Sequence, residues 1–248
     1  MHREDHPLVV APDRVVVNDH TAQLLSVSEF CRIAVKRGAI FFCSGRSLSA
    51  RFVRLTTWSR WSHCGMLDID AVTQTPFLWE SVQNPDGCID VLTETNRKSG
   101  VRLVPLHDRL ERYAHTDGDM TPDNRGYTLE VGVRHMWVHH QKMQDGIQRL
   151  EGFQTMEHQK AYEQSLFTLA RSQYEDVLGP QPQDTSEYHC SELVAETIQN
   201  MGLLSKPIIS QQYTPKMLAQ DIDGRLPFQS GMAGLQHVLH IYRIYVPA

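Results

Sequence analysis

The sequence predicts an α+β protein. Alternating apolar and polar residues, typical of half-buried strands, occur over 63–69 and 77–82. Apolar residues at helical spacing follow Cys190, where Leu193, Val194 and Ile198 recur on one face. The strands look antiparallel, and no linker, repeat or low-complexity segment divides the chain. We therefore expect an antiparallel sheet or partial barrel packed against helices, including the helix that carries Cys190.

The length, composition and net charge favour a globular protein without a strongly charged surface. The chain has 248 residues and 41% apolar residues, enough for a sizeable core. Its 24 basic and 29 acidic residues give a net charge of -5, which argues against nucleic acid or an anionic membrane as partner. Five cysteines without CxxC spacing indicate a reducing compartment. Without a hydrophobic leader or an apolar run of ~20 residues, the expected location is cytoplasmic with no transmembrane segment.

Two regions are predicted along the chain. Residues 1–27 mix short apolar runs with polar breaks and form an N-terminal arm, either irregular or contributing one extra strand. Residues 28–248 form a single catalytic domain. Within it, Ser28 opens a short helix that ends at Gly38. A strand from Ala39, a loop at 44–47 and a helix at 48–57 follow.

The remaining elements follow from turn residues and periodicity. Composition predicts short strands at 88–92, 101–105, 132–138 and 238–246, a brief helix around 106–113 and a long loop at 115–127. Apolar spacing predicts a helix around 158–174. Pro215 is typical of a helix start.

His63 and Glu80 are predicted to share one sheet face. His63 lies on the same face of its strand as Leu67, and Glu80 lies with Leu78 and Val82. A hairpin in which paired residue numbers sum to 143 sets His63 directly opposite Glu80, with Cβ atoms ~5 Å apart. A carboxylate at that distance can hold an imidazole. Burial of Glu80 among apolar residues costs several kcal/mol without a partner, so a cation or donor is expected beside it.

Cys190 is predicted to lie at a helix N-terminus. Asp184, Thr185 and Ser186 are favourable N-cap residues, and Gly202 ends the apolar pattern. The positive end of the helix dipole favours a thiolate, and first-turn N–H groups could stabilise an oxyanion. A buried cysteine acting only as a small core residue is the alternative. For His63, the alternative is a half-buried histidine with a structural role.

Cys190, His63 and Glu80 have the residue types needed for acyl transfer through a thiol. A cysteine attacks a carbonyl, an imidazole transfers the proton and a carboxylate orients the imidazole. We expect Glu80→Gln to retain the fold and to lower turnover by ~10²-fold. If turnover is unchanged, His189 or Asp68 takes the third role.

Several motifs resemble one family. They are Gly38-Ala39-Ile40-Phe41-Phe42, Trp61-Ser62-His63-Cys64-Gly65-Met66, Leu78-Trp79-Glu80-Ser81, Tyr188-His189-Cys190-Ser191-Glu192-Leu193-Val194 and Tyr213-Thr214-Pro215-Lys216-Met217-Leu218. In this order they resemble the permuted papain-like group of the NlpC superfamily, specifically its YiiX/YaeF-like branch. The resemblance implies a permuted papain-like core, Cys190 as nucleophile, His63 as base and Glu80 as third member. It spans roughly residues 37–246 and is patchy between 106 and 155.

The chain departs from that family in two ways. The family's Gly-Asp before the first strand is Gly38-Ala39 here. His189 and Cys64 also flank the nucleophile and the base, which raises a rival zinc site from His63, Cys64, His189 and Cys190. Adjacent strand residues point to opposite faces, so this spacing is poor for a tetrahedral metal, and we expect neither metal nor cofactor. The cluster His135, His139 and His140 is assigned to a solvated helix or strand end.

The predicted function is a cysteine hydrolase, amidase or peptidase-like, that cleaves an amide through an acyl-enzyme on Cys190. Trp61, Tyr188 and His189 are predicted to bind substrate, and Trp58 and segment 115–127 to line the cleft. The resemblance implies a small-molecule, peptide, peptidoglycan-derived or lipid-derived substrate, and the oligomeric state is unassigned. The alternatives are an acyltransferase or phospholipase of the lecithin retinol acyltransferase type and a non-catalytic binding module.

Overall fold

One sheet with helices on both faces organises the molecule. A computed structural model describes residues 15–56, 58–82, 87–96, 99–157, 161–162, 187–220 and 226–248. Within these ranges an eight-stranded sheet runs in the order β1-β10-β7-β2-β3-β4-β5, and β6 pairs with β7. The strands are β1 Val16–Ser26, β2 Ile40–Cys43, β3 His63–Ile69, β4 Pro76–Val82, β5 Gly100–Pro105, β6 Asp119–Met120, β7 Gly126–Val138 and β10 Ala233–Pro247.

The helices and a small second sheet complete the described structure. The helices are α1 Val27–Ala34, α2 Leu48–Thr56, α3 Leu106–Asp117, α4 His140–Glu157, α5 Cys190–Asn200 and α6 Pro215–Gln220, with a 3-10 turn at Ser210–Gln212. A parallel two-stranded sheet joins β8 Ala161–Tyr162 to β9 Glu187–Tyr188. No helix in the described ranges combines the length and apolar character needed to span a bilayer.

The α+β prediction is confirmed, with one difference in the sheet. All named pairs from β10 to β5 are antiparallel. The pair at the other edge, β1 with β10, is parallel. The sheet is open and not a barrel, because β1 and β5 end the order without pairing to each other. Residues 16–26 therefore supply the extra strand considered for the N-terminal arm, while the boundary at residue 27 stays a prediction.

Side-chain alternation divides the core into two apolar layers. Phe42, Cys64, Met66 and Trp79 face a layer that includes Leu193 and other residues of α5. The alternate residues of the same strands face the second layer, formed with α1 and α3. Its members include Phe41, Cys43, Leu67, Leu78, Phe30, Leu106 and Leu110. The central strands are thus buried on both faces, which explains their nearly continuous apolar sequence.

Local signals placed some elements correctly and others not. Ser26 caps α1, where Glu29 accepts from the Ser26 backbone N–H at 2.8 Å and Ser26 Oγ accepts from the Glu29 N–H at 3.2 Å. This capping box starts α1 one residue before the predicted Ser28. Helix α6 starts at Pro215 as predicted.

The loop predicted at 115–127 is wrong for much of its length. Helix α3 continues to Asp117, β6 covers Asp119–Met120 and β7 begins at Gly126. Helix α4 was not predicted, because two glycines weaken its pattern. Most of the helix predicted at 158–174 lies outside the described residues, and Ala161–Tyr162 form a strand.

The β3–β4 hairpin differs from its predicted register by two residues. Met66 pairs with Trp79 and Ile69 with Pro76, so paired numbers sum to 145 and not 143. The intervening turn is organised by Asp70, whose Oδ1 accepts from the Val72 and Thr73 backbone N–H groups at 2.9 and 2.6 Å. An Asx-type turn of this kind fixes where the second strand resumes. Because the shift is two residues, each side chain keeps its predicted face.

Gly65 permits the close approach of β3 and β4. A Cβ at this position meets Leu78 Cδ1 and the Trp79 carbonyl oxygen, each at 2.8 Å. We expect Gly65→Ala to lower the free energy of unfolding by about 1–3 kcal/mol, because the strands must separate. Gly152→Ala is the control, since this exposed helical glycine has no heavy atom within 4 Å and should gain roughly 0.5–1 kcal/mol. Urea unfolding measures both, and equal stability of the two variants contradicts the packing argument.

Candidate active site

Cys190 is the first residue of α5. Its N-cap is His189, and the Glu192 carboxylate accepts a hydrogen bond from the His189 backbone N–H at 3.3 Å. The neighbouring Ser191 Oγ donates to the Tyr213 carbonyl oxygen at 2.7 Å, which ties this helix end to the segment before α6. First-turn N–H groups have no intrahelical partners, and the helix dipole makes this end positive. The prediction that Cys190 lies at a helix N-terminus is confirmed, but the N-cap is His189 and not Asp184, Thr185 or Ser186.

Helix α5 is held against the hairpin that carries His63 and Glu80. Trp79 Nε1 on β4 donates to Thr197 Oγ1 on α5 at 3.1 Å, and both residues are fully buried. Leu193, Val194 and Ile198 are also fully buried in the same apolar layer. The helix therefore has a fixed height relative to β4, and this height sets the position of Cys190.

His63 and Glu80 are in contact, as predicted, although they are not direct strand partners. His63 Nε2 lies 2.8 Å from Glu80 Oε2. In the observed register Glu80 is displaced two residues from the position opposite His63. Diagonal neighbours on one sheet face are about 7–8 Å apart, and a glutamate and a histidine together span that gap.

Two arginines fix the Glu80 carboxylate from the other side. Arg102, its direct partner on β5, donates from Nε and Nη2 to Glu80 Oε1 at 3.1 and 2.8 Å. Arg109 of α3 places Nε 2.7 Å from the same oxygen. Glu80 and Arg102 are fully buried. A cation was expected beside the buried Glu80, and the structure has two, Arg102 and Arg109. Neither arginine was predicted.

The aromatic ring of Tyr113 lies beside this cluster. The Arg109 guanidinium carbon lies 3.6 Å from the Tyr113 ring centroid, a cation–π contact. The His63 and Tyr113 ring centroids are 5.7 Å apart. Tyr113 therefore closes off the α3 side of the imidazole and limits its rotation.

The cluster determines the protonation of Glu80. Burial disfavours the charged carboxylate, but Arg109 and Arg102 outweigh it and hold the pKa of Glu80 far below its usual value. An ionised carboxylate only accepts hydrogen bonds. His63 Nε2 must then carry a proton, which leaves Nδ1 as the nitrogen available for proton exchange with Cys190.

Cys190 and Glu80 both influence the protonation of His63. Burial favours the neutral imidazole, but hydrogen bonds to Cys190 and Glu80 outweigh it and raise the pKa of His63 to about 9. The pKa of Cys190 is shifted well below that of an ordinary thiol by a hydrogen bond from the Cys64 side chain. Burial opposes that shift, and His63 adds to it. Both shifts favour a thiolate on Cys190 beside an imidazolium on His63.

The outcomes for the other predicted site residues differ. Trp61 is 3% exposed and packs in the core, with its ring centroid 5.8 Å from that of Phe42. His189 is buried at the N-cap, and the side chain of Tyr188 lies outside the described residues. Substrate binding by these three residues stays a prediction. Trp58, assigned to the cleft, is 83% exposed.

Asp68 is engaged elsewhere in the fold. Its carboxylate accepts from Arg37 Nε at 2.6 Å and from Gln154 Nε2 at 3.1 Å. Five residues separate it from His63 along β3, a span of roughly 16 Å. Asp68 is thus too far away to orient the imidazole.

In the part of the chain that the structure describes, no three His, Cys, Asp or Glu residues are arranged to hold a metal ion. Of the other cluster, His135 is buried on β7 with its ring 5.6 Å from that of His240. The solvated setting assigned to His135 is wrong, because this residue is buried within β7 beside His240 of β10, whereas His139 and His140 are exposed at the start of α4 as predicted. Burial lowers the pKa of His135 to about 4.

Comparisons with known proteins give limited information. No family model matches the chain, and no curated protein matches it. A solved structure described as "metalloprotein yiiX from Escherichia coli O157:H7, DUF1105" is similar, with a TM-score of 0.42 and 17% identity over 81% of this chain and 96% of that chain. A similarity at this level assigns no residue and no activity to the present protein.

The arginine pair changes what is expected of Glu80→Gln. Loss of the charge leaves Arg102 and Arg109 buried beside a neutral amide, and a broken buried ion pair costs roughly 3–5 kcal/mol. We therefore expect this variant to be destabilised, which replaces the sequence-based expectation of an intact fold. Glu151→Gln is the control, since this exposed glutamate also pairs with an arginine, Arg37, at 3.0 Å. It should cost less than about 1 kcal/mol in urea unfolding. Similar losses in both variants contradict the buried-cluster argument.

Proposed function

We propose that the protein is a cysteine hydrolase with Cys190 as nucleophile, His63 as acid and base, and Glu80 as the orienting carboxylate. The observation that carries the proposal is the single imidazole whose Nε2 contacts a buried, ionised carboxylate and which lies near enough to Cys190 for each group to shift the pKa of the other. A histidine with only a structural role has no need of a thiol at a helix N-terminus. The order of these residues also supports a permuted papain-like core as part of this proposal.

The reaction follows from the protonation states. The Cys190 thiolate adds to the carbonyl carbon of an amide, and the electron pair of the C=O bond moves to oxygen. When the tetrahedral intermediate collapses, the C–N bond breaks and the His63 imidazolium donates its Nδ1 proton to the leaving amine. Neutral His63 then takes a proton from water as its oxygen attacks the thioester. The acid is released, and the thiolate and imidazolium are restored.

Two features lower the barrier for these steps. First-turn N–H groups of α5 carry partial positive charge next to Cys190, where the oxyanion of the tetrahedral intermediate would develop. The Glu80 cluster holds the imidazole ring in one tautomer, so little reorganisation is needed during proton transfer. Removal of an acid–base group of this kind typically lowers rates by about 10²–10⁴-fold.

Two other functions use the same site. An acyltransferase or phospholipase of the lecithin retinol acyltransferase type also proceeds through an acyl-cysteine, and differs in whether water, an amine or an alcohol resolves it. A non-catalytic binding module has no use for an ionised thiol. The paired charges of His63 and Cys190 favour an enzyme over the binding module.

Alkylation of Cys190 by iodoacetamide tests the ion pair without a known substrate. We expect its rate to be nearly independent of pH between about 6 and 8, because the thiol is already ionised, whereas ordinary thiols of pKa ~8.5 react faster as pH rises. His63→Ala should slow labelling at pH 6.5 by about tenfold, since the smaller thiolate fraction is partly offset by higher intrinsic nucleophilicity. Peptide mass spectrometry measures labelling at each cysteine.

The matched control is His115→Ala, which alters a histidine on α3 outside the cluster and should leave the rate unchanged. Equal, slow labelling of Cys190 and the other thiols supports the binding module instead. With a chromogenic ester or amide, hydrolysis should fall above about pH 9, where His63 loses the proton that the leaving group needs. Turnover that survives in Cys190→Ala contradicts the proposal, and faster product formation with an added amine indicates acyl transfer.

A further inference from the structure

A second buried thiol, Cys64, adjoins the candidate nucleophile and has no part in the proposed mechanism. Cys64 is the residue after His63 on β3, and its side chain faces α5 together with Met66. Its thiol and its backbone N–H are near enough to the Cys190 sulfur to lower the pKa of Cys190, and Cys190 in turn raises the pKa of Cys64. Two cysteines more than a hundred positions apart in sequence therefore lie side by side in one apolar layer.

The two sulfurs are chemically unequal. Burial and the hydrogen bond to Cys190 both raise the pKa of Cys64 well above that of an ordinary thiol, so Cys64 stays protonated. Cys190 is 7% exposed and Cys64 is fully buried. An oxidant from solvent therefore reaches Cys190 before it can reach Cys64. Low pKa, some access and a neighbouring second cysteine are the properties of reversibly oxidised thiols.

We propose that Cys190 and Cys64 form a reversible disulfide when a peroxide oxidises Cys190. The Cys190 thiolate attacks one peroxide oxygen, the O–O bond breaks, and a sulfenic acid and hydroxide result. The Cys64 sulfur then attacks the Cys190 sulfur and forms the S–S bond. The hydroxyl leaves as water with the Cys64 proton, so two thiols and one hydrogen peroxide give one disulfide and two waters.

The fold selects Cys64 over the remaining cysteines. Cys43 and Cys88 belong to the second apolar layer, on the opposite side of the sheet, and Cys31 packs against that layer. A disulfide requires an S–S distance near 2.05 Å and Cα atoms ~4.4–6.8 Å apart. Cys64 and Cys190 share one apolar layer, and Cys190 lies at a helix end, where the shift that brings the two sulfurs to bonding distance is least costly.

Hydrogen peroxide followed by alkylation of free thiols and non-reducing tryptic mapping tests this proposal. We expect one crosslinked species that joins the peptide beginning at Trp61 to the peptide containing Cys190. Dithiothreitol should reverse the crosslink and restore labelling of Cys190. In Cys64→Ala the crosslink should be absent, and Cys190 should proceed to sulfinic acid, because no second thiol captures the sulfenic acid.

Cys88→Ala is the matched control, since Cys64 and Cys88 share one tryptic peptide, residues 61–97. Its crosslink should persist. Oxidation of wild-type Cys190 straight to sulfinic acid, a crosslink that survives in Cys64→Ala, or loss of the crosslink in Cys88→Ala overturns the proposal. The mapping does not depend on hydrolysis: a crosslink in a protein without hydrolase activity rejects the proposed function alone.

Discussion

The ion cluster around Glu80 is the constraint on which the candidate site depends. A carboxylate buried alone is strongly destabilising, and two arginines from different elements make the charged form the stable one. Arg102 comes from the neighbouring strand and Arg109 from the helix that covers the same face. The cluster therefore requires β4, β5 and α3 to be assembled together. Once it forms, the two arginines contact Glu80 Oε1, and Glu80 Oε2 contacts His63.

The other half of the site comes from the opposite layer. Cys190 belongs to α5, which packs on the sheet face away from α3. His63 is the first residue of β3, so its imidazole lies at the strand end, where side chains from both layers can meet. The hydrogen bond from Trp79 to Thr197 fixes α5 on the sheet, at the residue next to Glu80. Proton transfer between Cys190 and His63 thus depends on contacts made well inside the core.

The sequence predicted which residues lie together more accurately than it predicted how they are arranged. The period of two along a strand was enough to place His63 and Glu80 on one face, and a register error of two residues did not change that result. The error arose because hairpin register depends on the turn, and the Asp70 turn could not be assigned from composition. Apolar spacing likewise placed Cys190 near the start of α5, although the N-cap is His189 and not one of the predicted residues Asp184–Ser186, which lie outside the described residues.

The features of the site that the sequence did not predict have one property in common: they depend on contacts between residues distant in sequence. Arg102 lies in an apolar strand, and this position could have been used to predict its role. A buried cation needs an anionic partner, just as Glu80 needs a cation. Arg109 has no such signal, since arginines on short helices are usually solvated. The pairing of Cys64 with Cys190 could not be inferred without the packing of α5 on β3.

The same physical setting accounts for reactivity and for its regulation. Cys64 and His63 lower the pKa of Cys190, and the negative charge that this favours on the sulfur serves attack on a carbonyl or on a peroxide equally well. What separates the two outcomes is the neighbour of the sulfur after attack. In the proposed mechanism a thioester on Cys190 is hydrolysed by water that neutral His63 activates. A sulfenic acid on Cys190 reacts instead with the Cys64 thiol, and this reaction does not require water to enter the site. Because Cys64 immediately follows His63 on β3, alternation of side chains directs the base and the second thiol to the same sulfur from different faces of the sheet.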